Sequence, residues 1–271
     1  MSLLTTTLIT GGSGGIGLEM ARLLAARGHH LVLASRDPGR LQAAADELRR
    51  AHGAEVHAHA IDLSEPGAAQ RLFDHTQRQG LHIDALVNNA GFGAIEEHVA
   101  IDAVQLQRML QLDVVAVAEL CHRYGGAMKQ RRAGRILNVA STAAFQPTPY
   151  FAAYGAAKAF VLNFSEALAM ELEDHGVSVC CLAPGPTDTA FFDTLDPRRV
   201  SGGHFFGKAG RADPREVAAA GVALMLGGGL TRVVGWRNRL MILGNRFVPR
   251  SMVATVSKRM LRPLDVAKYA K

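Results

Sequence analysis

A run of five glycines within residues 11–17 restricts the possible folds of this chain more than any other feature of its sequence. The preceding residues 5–10 are largely β-branched, which favours a strand, and residues 18–27 carry apolar side chains at helical spacing. Glycines between a first strand and a helix let the backbone turn tightly and approach a pyrophosphate, which then rests on the positive helix N-terminus. The chain is therefore predicted to open with a strand–loop–helix unit suited to such a ligand.

Strand-like and helix-like segments alternate through most of the chain. The other predicted strands are residues 31–34, 55–61, 85–87, 136–139 and 177–182. The predicted helices are residues 18–27, 38–52, 66–79, 104–130, 154–175 and 214–225. Strands that alternate with helices indicate βαβ units. We therefore predict an α/β fold, with a Rossmann-type doubly wound parallel sheet and helices on both of its faces.

Length and composition fit one domain with a C-terminal extension. The 271 residues are 48% apolar and 20% charged, and a chain of this size can bury a full core as one α/β domain. The sequence lacks both the roughly 18 consecutive apolar residues of a membrane helix and a secretory signal, so we expect a cytoplasmic protein. Cys121, Cys180 and Cys181 suit neither a disulfide framework nor a metal spacing, so no metal is predicted.

Positive charge is concentrated towards the C-terminus. Residues 231–271 contain ten Lys and Arg residues against the single acid Asp265, whereas the whole chain has a net charge of +6, so residues 1–230 carry a net charge of −3. We therefore divide the chain into a Rossmann-type catalytic domain, residues 1–230, and a basic amphipathic extension, residues 231–271. The domain includes a predicted flap at about residues 187–212, where glycines and phenylalanines follow no clear period.

Tyr154 and Lys158 form the first candidate catalytic pair. They lie four residues apart in an alanine-rich segment, so they would share one face of a helix. An ammonium there favours the phenolate, lowers the pKa of the tyrosine from about 10, and lets the phenol pass a proton to a reacting oxygen. Ser141 ends a predicted buried strand, where ligands bind in open α/β sheets. The same Tyr and Lys would also fit a packed ring beside a lysine that reaches for water.

Several motifs occur together in a fixed order. They are T-G-x-x-x-G-x-G from Thr10, N-N-A-G from Asn88, Ser141, Y-x-x-x-K from Tyr154 and P-G-P-x-x-T from Pro184. In this combination, over about residues 5–226, the chain resembles a short-chain dehydrogenase/reductase. The resemblance implies an enzyme that binds a nicotinamide dinucleotide at the carboxyl ends of the strands.

The resemblance also implies a role for each motif residue. Thr10 would support the glycine turn, Asp62 and Leu63 would contact the adenine, and the segment from Pro184 would hold the nicotinamide. Taken alone, Asp62 would equally fit a helix-capping acid. The implied cofactor-binding residues are Thr10, Gly11, Ser13, Gly15, Ile16, Gly17, Ser35, Arg36, Asp62, Leu63, Asn89, Ala90, Gly91, Tyr154, Lys158, Pro184, Gly185, Thr187 and Thr189.

The residues after the second strand predict NADP(H) as the cofactor. Ser35 stands where NAD-preferring relatives usually carry an acid that binds the ribose 2′-hydroxyl, and Arg36 follows it. A guanidinium can bind a 2′-phosphate through two hydrogen bonds. Because Asp37 comes next, Arg36 could instead pair with that carboxylate and face solvent.

By resemblance, Tyr154 is the general acid, Lys158 holds the ribose hydroxyls and Ser141 hydrogen-bonds the developing alkoxide. Asp113 departs from the family pattern, because it occupies the place of a catalytic-site Asn. Asp keeps the backbone carbonyl but loses the side-chain amide, and it brings a negative charge near Lys158. A tolerated change, an altered proton relay and an inactive NADP-binding protein remain open.

Aromatic residues around these motifs predict an apolar carbonyl substrate, such as an aromatic or steroid-like ketone, an aldehyde or a fatty 3-oxoacyl thioester. Alternatively, many of these rings pack the flap onto the domain. The candidate pocket residues are Phe92, Gly93, Phe145, Gln146, Phe151, Phe191, Phe192, Leu195, Phe205 and Phe206.

The sequence of the basic extension is compatible with more than one binding partner. It resembles the C-terminal region of one family branch, with Gly235-Trp236 before arginine-rich amphipathic segments at residues 238–247 and 251–261. Such helices could cover the substrate pocket or a partner subunit, lie on an anionic membrane, or receive an anionic carrier. The resemblance also implies a homodimer or homotetramer formed through the long helices. Nucleic acid binding is not expected.

The leading function is an NADPH-dependent carbonyl reductase. A non-catalytic NADP-binding redox sensor is the alternative, because the fold alone does not imply catalysis.

Overall fold

The computed structural model describes residues 5–191 and 210–262. In these residues, seven parallel strands form one sheet in the order β3-β2-β1-β4-β5-β6-β7. The strands are β1 Thr6–Thr10, β2 His30–Ser35, β3 Val56–Ala60, β4 Ala85–Asn88, β5 Gly134–Val139, β6 Val177–Ala183 and β7 Thr231–Val233. The strand order reverses direction between β1 and β4, and this switch point is where doubly wound sheets bind ligands.

Helices cover both faces of the sheet. They are α1 Gly15–Ala25, α2 Pro38–His52, α3 Ala68–Arg78, α4 Ala103–Leu110, α5 Val117–Arg131, α6 Ala152–Glu173, α7 Pro214–Gly227, α8 Trp236–Gly244 and α9 Arg250–Leu261. On one face, α2 and α7 bury Leu48 and Val222. On the other face, Leu72, Tyr124 and Val161 are buried from α3, α5 and α6. The predicted doubly wound fold is confirmed.

The register of the strands brings four loops to one edge of the sheet. Ile9 of β1 pairs with Val87 of β4, and Val139 of β5 pairs with Leu182 of β6. Just beyond the ends of β5 and β6, the Thr142 N–H donates to the Pro184 carbonyl at 2.8 Å. Because parallel strands end at the same edge, the segments after β1, β4, β5 and β6 lie side by side there.

Two features differ from the sequence prediction. The single helix predicted at residues 104–130 is interrupted by a π-helical turn, Gln111–Ala116, which separates α4 from α5 and contains Asp113. The sheet also continues beyond the predicted domain boundary at residue 230, because β7 pairs with β6. The first three residues of the predicted extension therefore belong to the sheet.

Residues 5–191 and 210–262 contain neither a helix that could cross a membrane nor a cluster that could hold a metal ion. No helix among these residues combines the length and hydropathy needed to cross a membrane. In the same part of the chain, no group of three or more His, Cys, Asp and Glu side chains is placed to hold a metal ion.

Candidate active site

A cleft of about 880 Å³ opens at the edge of the sheet where these loops meet. It extends from the glycine loop to α6, and α8 and α9 also contribute to its wall. The predicted residues that line it are Gly11, Ser13, Gly15, Ile16, Ser35, Arg36, Asp62, Leu63, Asn89, Ala90, Gly91, Phe92, Ser141, Gln146, Phe151, Tyr154, Lys158, Pro184, Gly185, Thr187, Thr189 and Phe191.

The remaining predicted residues lie elsewhere. Phe145 is not among the residues that line the cleft, and its ring packs against the hydrophobic core. Gly93 lies directly against the Phe151 and Tyr154 rings. Phe192, Leu195, Phe205 and Phe206, with most of the predicted flap, lie outside the described residues.

The glycine loop is shaped by backbone positions that larger residues would not fit. Gly11 and Gly15 have φ values of 68° and 53°, in the left-handed region that favours glycine. A Cβ on Gly17 would lie 2.4 Å from the Gly11 carbonyl oxygen, so the first turn of α1 packs closely under the loop. The N-terminus of α1 therefore faces the cleft, where its free N–H groups favour an anion.

Thr10 and Asn89 clamp this loop to the neighbouring strand. The Thr10 hydroxyl oxygen accepts hydrogen bonds from the N–H groups of Asn89 and Ala90, both at 3.0 Å. The Asn89 side-chain amide donates to the Thr10 carbonyl at 2.9 Å. Thr10 itself is buried, so it supports the cleft from beneath.

Hydroxyl and guanidinium groups gather at the end of the cleft beside β2. The Ser13 and Ser35 hydroxyls are hydrogen-bonded at 2.8 Å, and Arg36 and Arg40 both line the cleft. Asp37 caps α2 by accepting from the Arg40 N–H at 3.0 Å, so its carboxylate is used at the helix N-terminus. Arg40 was not predicted from the sequence, and it reaches the cleft from the first turn of α2.

Both carboxylate oxygens of Asp62 accept hydrogen bonds from neighbouring residues. One of its oxygens accepts from the Ser64 N–H and hydroxyl, at 2.9 and 2.6 Å, and the other accepts from Arg108 at 2.5 Å. Burial opposes ionisation of Asp62, but the Ser64 hydrogen bonds and the Arg108 charge together lower the pKa of Asp62. Arg108 comes from α4, and nothing in the sequence indicated this contact.

The three candidate catalytic residues meet at the wall of the cleft. The Tyr154 ring stacks on Phe151 with centroids 4.2 Å apart, and the Lys158 Nζ lies 5.5 Å from the Tyr154 ring centroid. The Ser141 Oγ accepts from the Ala143 N–H at 3.1 Å, which fixes the serine at the end of β5. Tyr and Lys are both buried, so their mutual electrostatic effects act in a low-dielectric environment.

The model of the short chain dehydrogenase family matches residues 5–199 of this sequence. The chain belongs to the short-chain dehydrogenase/reductase family. The family of oxidoreductases predicted from the motifs is thereby confirmed.

Two curated relatives are similar to part of this chain. The 17-beta-hydroxysteroid dehydrogenase type 3 of Rattus norvegicus is 32% identical over 198 residues, which is 72% of this chain and 63% of that protein. The very-long-chain 3-oxoacyl-CoA reductase of Neurospora crassa is 35% identical over 184 residues, 65% of this chain and 54% of that protein. The matched region thus spans less than two thirds of the length of either relative.

A solved structure is similar over nearly the whole fold. A short-chain dehydrogenase from Sphingobium yanoikuyae, in complex with NADPH, has a TM-score of 0.79 and 30% sequence identity to this chain. The similarity covers 90% of this chain and 94% of that protein. The NADP(H) prediction agrees with the cofactor in that complex.

Asp113 departs from the usual short-chain dehydrogenase site through a direct ion pair. The Lys158 Nζ donates to Asp113 Oδ1 at 3.2 Å and to the Val139 carbonyl at 3.3 Å. The Asp113 side chain is fully buried, and within the described residues its Oδ2 has no hydrogen-bond partner. A Cβ on Gly91 would lie 2.4 Å from Asp113 Oδ1, so glycine leaves room for the pair.

This ion pair changes the electrostatics that the sequence predicted for Tyr154. Burial raises the pKa of Tyr154, the Lys158 ammonium opposes that rise, and the Asp113 carboxylate adds to it. The predicted net depression of the tyrosine pKa is therefore wrong, since burial outweighs the Lys158 ammonium. Burial opposes the charge of Lys158, but its anionic neighbours raise the pKa of Lys158 overall.

The C-terminal helices α8 and α9 complete the wall of the cleft. Met241 from α8 and Met260 and Leu261 from α9 line it, and Leu261 clusters with Phe151 and Tyr154. The Asn245 side-chain amide donates to the Gln146 Oε1 at 2.7 Å, which ties α8 to the segment after Ser141. Among the roles left open for the extension, covering the pocket agrees with these contacts.

Proposed function

We propose that this protein is an NADPH-dependent reductase, and in reverse an alcohol dehydrogenase, for an apolar ketone, aldehyde or 3-oxoacyl compound. One observation carries the proposal: Ser141, Tyr154 and Lys158 meet in the same cleft as the glycine loop. Such a juxtaposition places a proton donor beside a dinucleotide site, which carbonyl reduction requires.

The residues of the cleft fit NADP(H). The glycine loop and the α1 N-terminus suit the pyrophosphate, and Arg36 and Arg40 with the Ser13 and Ser35 hydroxyls suit a 2′-phosphate. Bound NADPH would supply the hydride. The chain's own residues would orient the carbonyl and manage its proton.

Tyr154 is the proton donor in this proposal. Its hydroxyl donates a proton to the carbonyl oxygen as negative charge develops there, and the Ser141 hydroxyl donates a hydrogen bond to the same oxygen. The Lys158 ammonium stabilises the tyrosinate that results, because it lies beside the ring in a buried site. Asp113 holds that ammonium in position.

The walls of the cleft support a bulky apolar substrate. Phe92, Phe151, Phe191 and Leu261 cluster around Tyr154, and Met260 also lines the cleft. These side chains favour hydrocarbon over polar groups. The steroid and very-long-chain acyl compounds in the names of the two relatives are also bulky and largely apolar.

NADPH oxidation against a panel of ketones, aldehydes and 3-oxoacyl thioesters tests this function. We expect turnover with the larger apolar members, and its loss in Tyr154→Phe. If no carbonyl compound is reduced although NADPH binds, the proposal is wrong. That result would favour the redox sensor, for which the pairing of Lys158 with Asp113 is the supporting observation.

We also infer that copies of the chain pair through α5 and α6. Phe160 and Met170 are exposed apolar residues of α6, and the family resemblance implies a homodimer or homotetramer. Sedimentation velocity of the purified protein tests this, since a monomer over the working concentration range would overturn it.

A further inference from the structure

One face of helix α8 presents large apolar residues to solvent, whereas the amides of Asn238 and Asn245 contact the protein. Asn238 donates to the Val234 carbonyl at 2.7 Å, and Asn245, directly after the helix, donates to Gln146. On the other side, Trp236, Leu240 and Leu243 are 70%, 62% and 51% exposed. This orientation is the reverse of the usual one, in which an apolar stripe faces the core.

The exposed residues form one stripe. Positions 236, 240 and 243 follow the i, i+4, i+7 spacing that places side chains on one helix face. Phe247 continues the same spacing just after the helix and is 80% exposed. We call Trp236, Leu240, Leu243 and Phe247 the apolar stripe. Four large apolar side chains in a row are costly to leave in water, and a grouped set of this kind marks an interaction surface.

Positive charge surrounds the apolar stripe. Residues 231–262 contain eight Arg and Lys residues and no Asp or Glu. Arg237, Arg239 and Arg246 are exposed beside the stripe, and the Arg237 guanidinium lies 5.4 Å from the centroid of the Trp236 ring. Helices that lie in the headgroup region of an anionic bilayer have this composition, with Trp, Phe and Leu on one face and arginines beside them.

The cleft opens beside the same surface. Met241 is exposed and also lines the cleft, and Arg237, next to Trp236, lines it as well. A surface in contact with the apolar stripe would therefore lie close to the rim of the cleft.

We propose that the apolar stripe and its flanking arginines dock on an anionic lipid membrane, so that the cleft faces the bilayer. If the proposed function holds, an apolar carbonyl compound dissolved in lipid could then enter the cleft from the membrane. The lipid headgroup would contribute the negative charge that the arginines favour, and the apolar stripe would enter the headgroup–acyl boundary.

Co-sedimentation of the full chain with lipid vesicles tests this docking. Wild-type protein is expected to bind vesicles of phosphatidylcholine mixed with phosphatidylglycerol, and to bind much less to phosphatidylcholine alone. Added salt should weaken the binding, because it screens the arginines. Leu240→Ser/Leu243→Ser/Phe247→Ser should lose most of the binding. The control Val99→Ser/Val104→Ser, which changes exposed apolar residues elsewhere, should bind as wild type does.

Each alternative partner for the apolar stripe predicts a distinct experimental result that would overturn membrane docking. If vesicles are not bound but the triple variant has a lower mass in sedimentation velocity, the stripe contacts a second copy of the chain. If vesicles are not bound but acyl carrier protein is, the partner is an acidic protein. If the triple variant and the control lose vesicle binding equally, membrane docking is also overturned. Vesicle binding involves no turnover, so its failure is distinguishable from a failure of the reductase function.

Discussion

Asp113 acts on both of its ionisable neighbours. Its carboxylate helps to raise the pKa of Lys158, and it adds to the rise that burial imposes on the pKa of Tyr154. A general acid with a raised pKa stays protonated to higher pH, which suits reduction of a carbonyl group. The same rise disfavours the tyrosinate that alcohol oxidation needs.

Asp113→Asn should therefore lower the pKa of Tyr154. In the reduction direction, the alkaline loss of kcat/KM should move to lower pH, because the phenol loses its proton earlier. In the oxidation direction, turnover near neutral pH should hold or rise. The measurement is kcat/KM against pH in both directions. Asp74→Asn, an exposed change on α3, is the control, and an unchanged profile in Asp113→Asn would contradict the assigned effect.

Tyr154→Phe removes the proposed proton donor and leaves the ring. We expect turnover to fall by about 10²–10⁴-fold, the usual contribution of a well-placed acid–base group. NADPH binding, measured by titration calorimetry, should remain. Tyr150→Phe is the matched control, since Tyr150 belongs to the same aromatic cluster. Undiminished turnover in Tyr154→Phe would exclude this mechanism.

Arg36→Leu tests the assignment of the 2′-phosphate end. Loss of a charge-assisted hydrogen bond worth roughly 1.5–3 kcal/mol should raise the KM for NADPH by about 10- to 100-fold. The KM for NADH should change little, because NADH carries no 2′-phosphate. Arg71→Leu, an exposed arginine of α3, serves as the control. Equal changes in the KM values for NADPH and NADH would show that Arg36 does not bind the 2′-phosphate.

Among the secondary-structure elements, α2 was predicted with the observed ends because both ends have local chemistry. Asp37 caps its N-terminus, Pro38 occupies the first turn, and Gly53 ends it with φ at 62°. The π-helical turn at Gln111–Ala116 has no such residues, so the sequence predicted one uninterrupted helix. Strand β7 has three residues, too few for a period of two to be recognised.

Gly17→Ala tests the close contact between the glycine loop and α1. A Cβ there would lie 2.4 Å from a backbone oxygen, which cannot move without shifting the loop. We expect the free energy of unfolding, measured in urea, to fall by about 1–3 kcal/mol. Gly227→Ala is the control, because its Cβ would meet no atom within 4 Å. A similar change in the two variants would mean that the loop tolerates a larger residue.

Across the whole molecule, motif order predicted the residues at the strand ends but not the partners that the fold brings to them. Arg108 reaches Asp62 from α4, and Leu261 reaches Tyr154 from the last helix described. These pairs are far apart in sequence and follow no short spacing rule, since tertiary packing alone brings them together. Local motifs can be recognised in a single sequence, whereas long-range contacts of this kind cannot, so the substrate end of the cleft was the harder end to predict.

Leu261→Ala tests whether the C-terminal extension belongs to the substrate site. Leu261 is buried against Phe151 and Tyr154 and lines the cleft, so truncation removes apolar contact from a bulky substrate. Each buried methylene is worth about 0.8 kcal/mol, so loss of two or three should raise the KM for a bulky ketone by roughly 10-fold or more. The KM for a small ketone that does not reach α9 should change less. Leu230→Ala, an exposed leucine before β7, is the control. If both ketones are affected equally, Leu261 supports the fold rather than substrate choice.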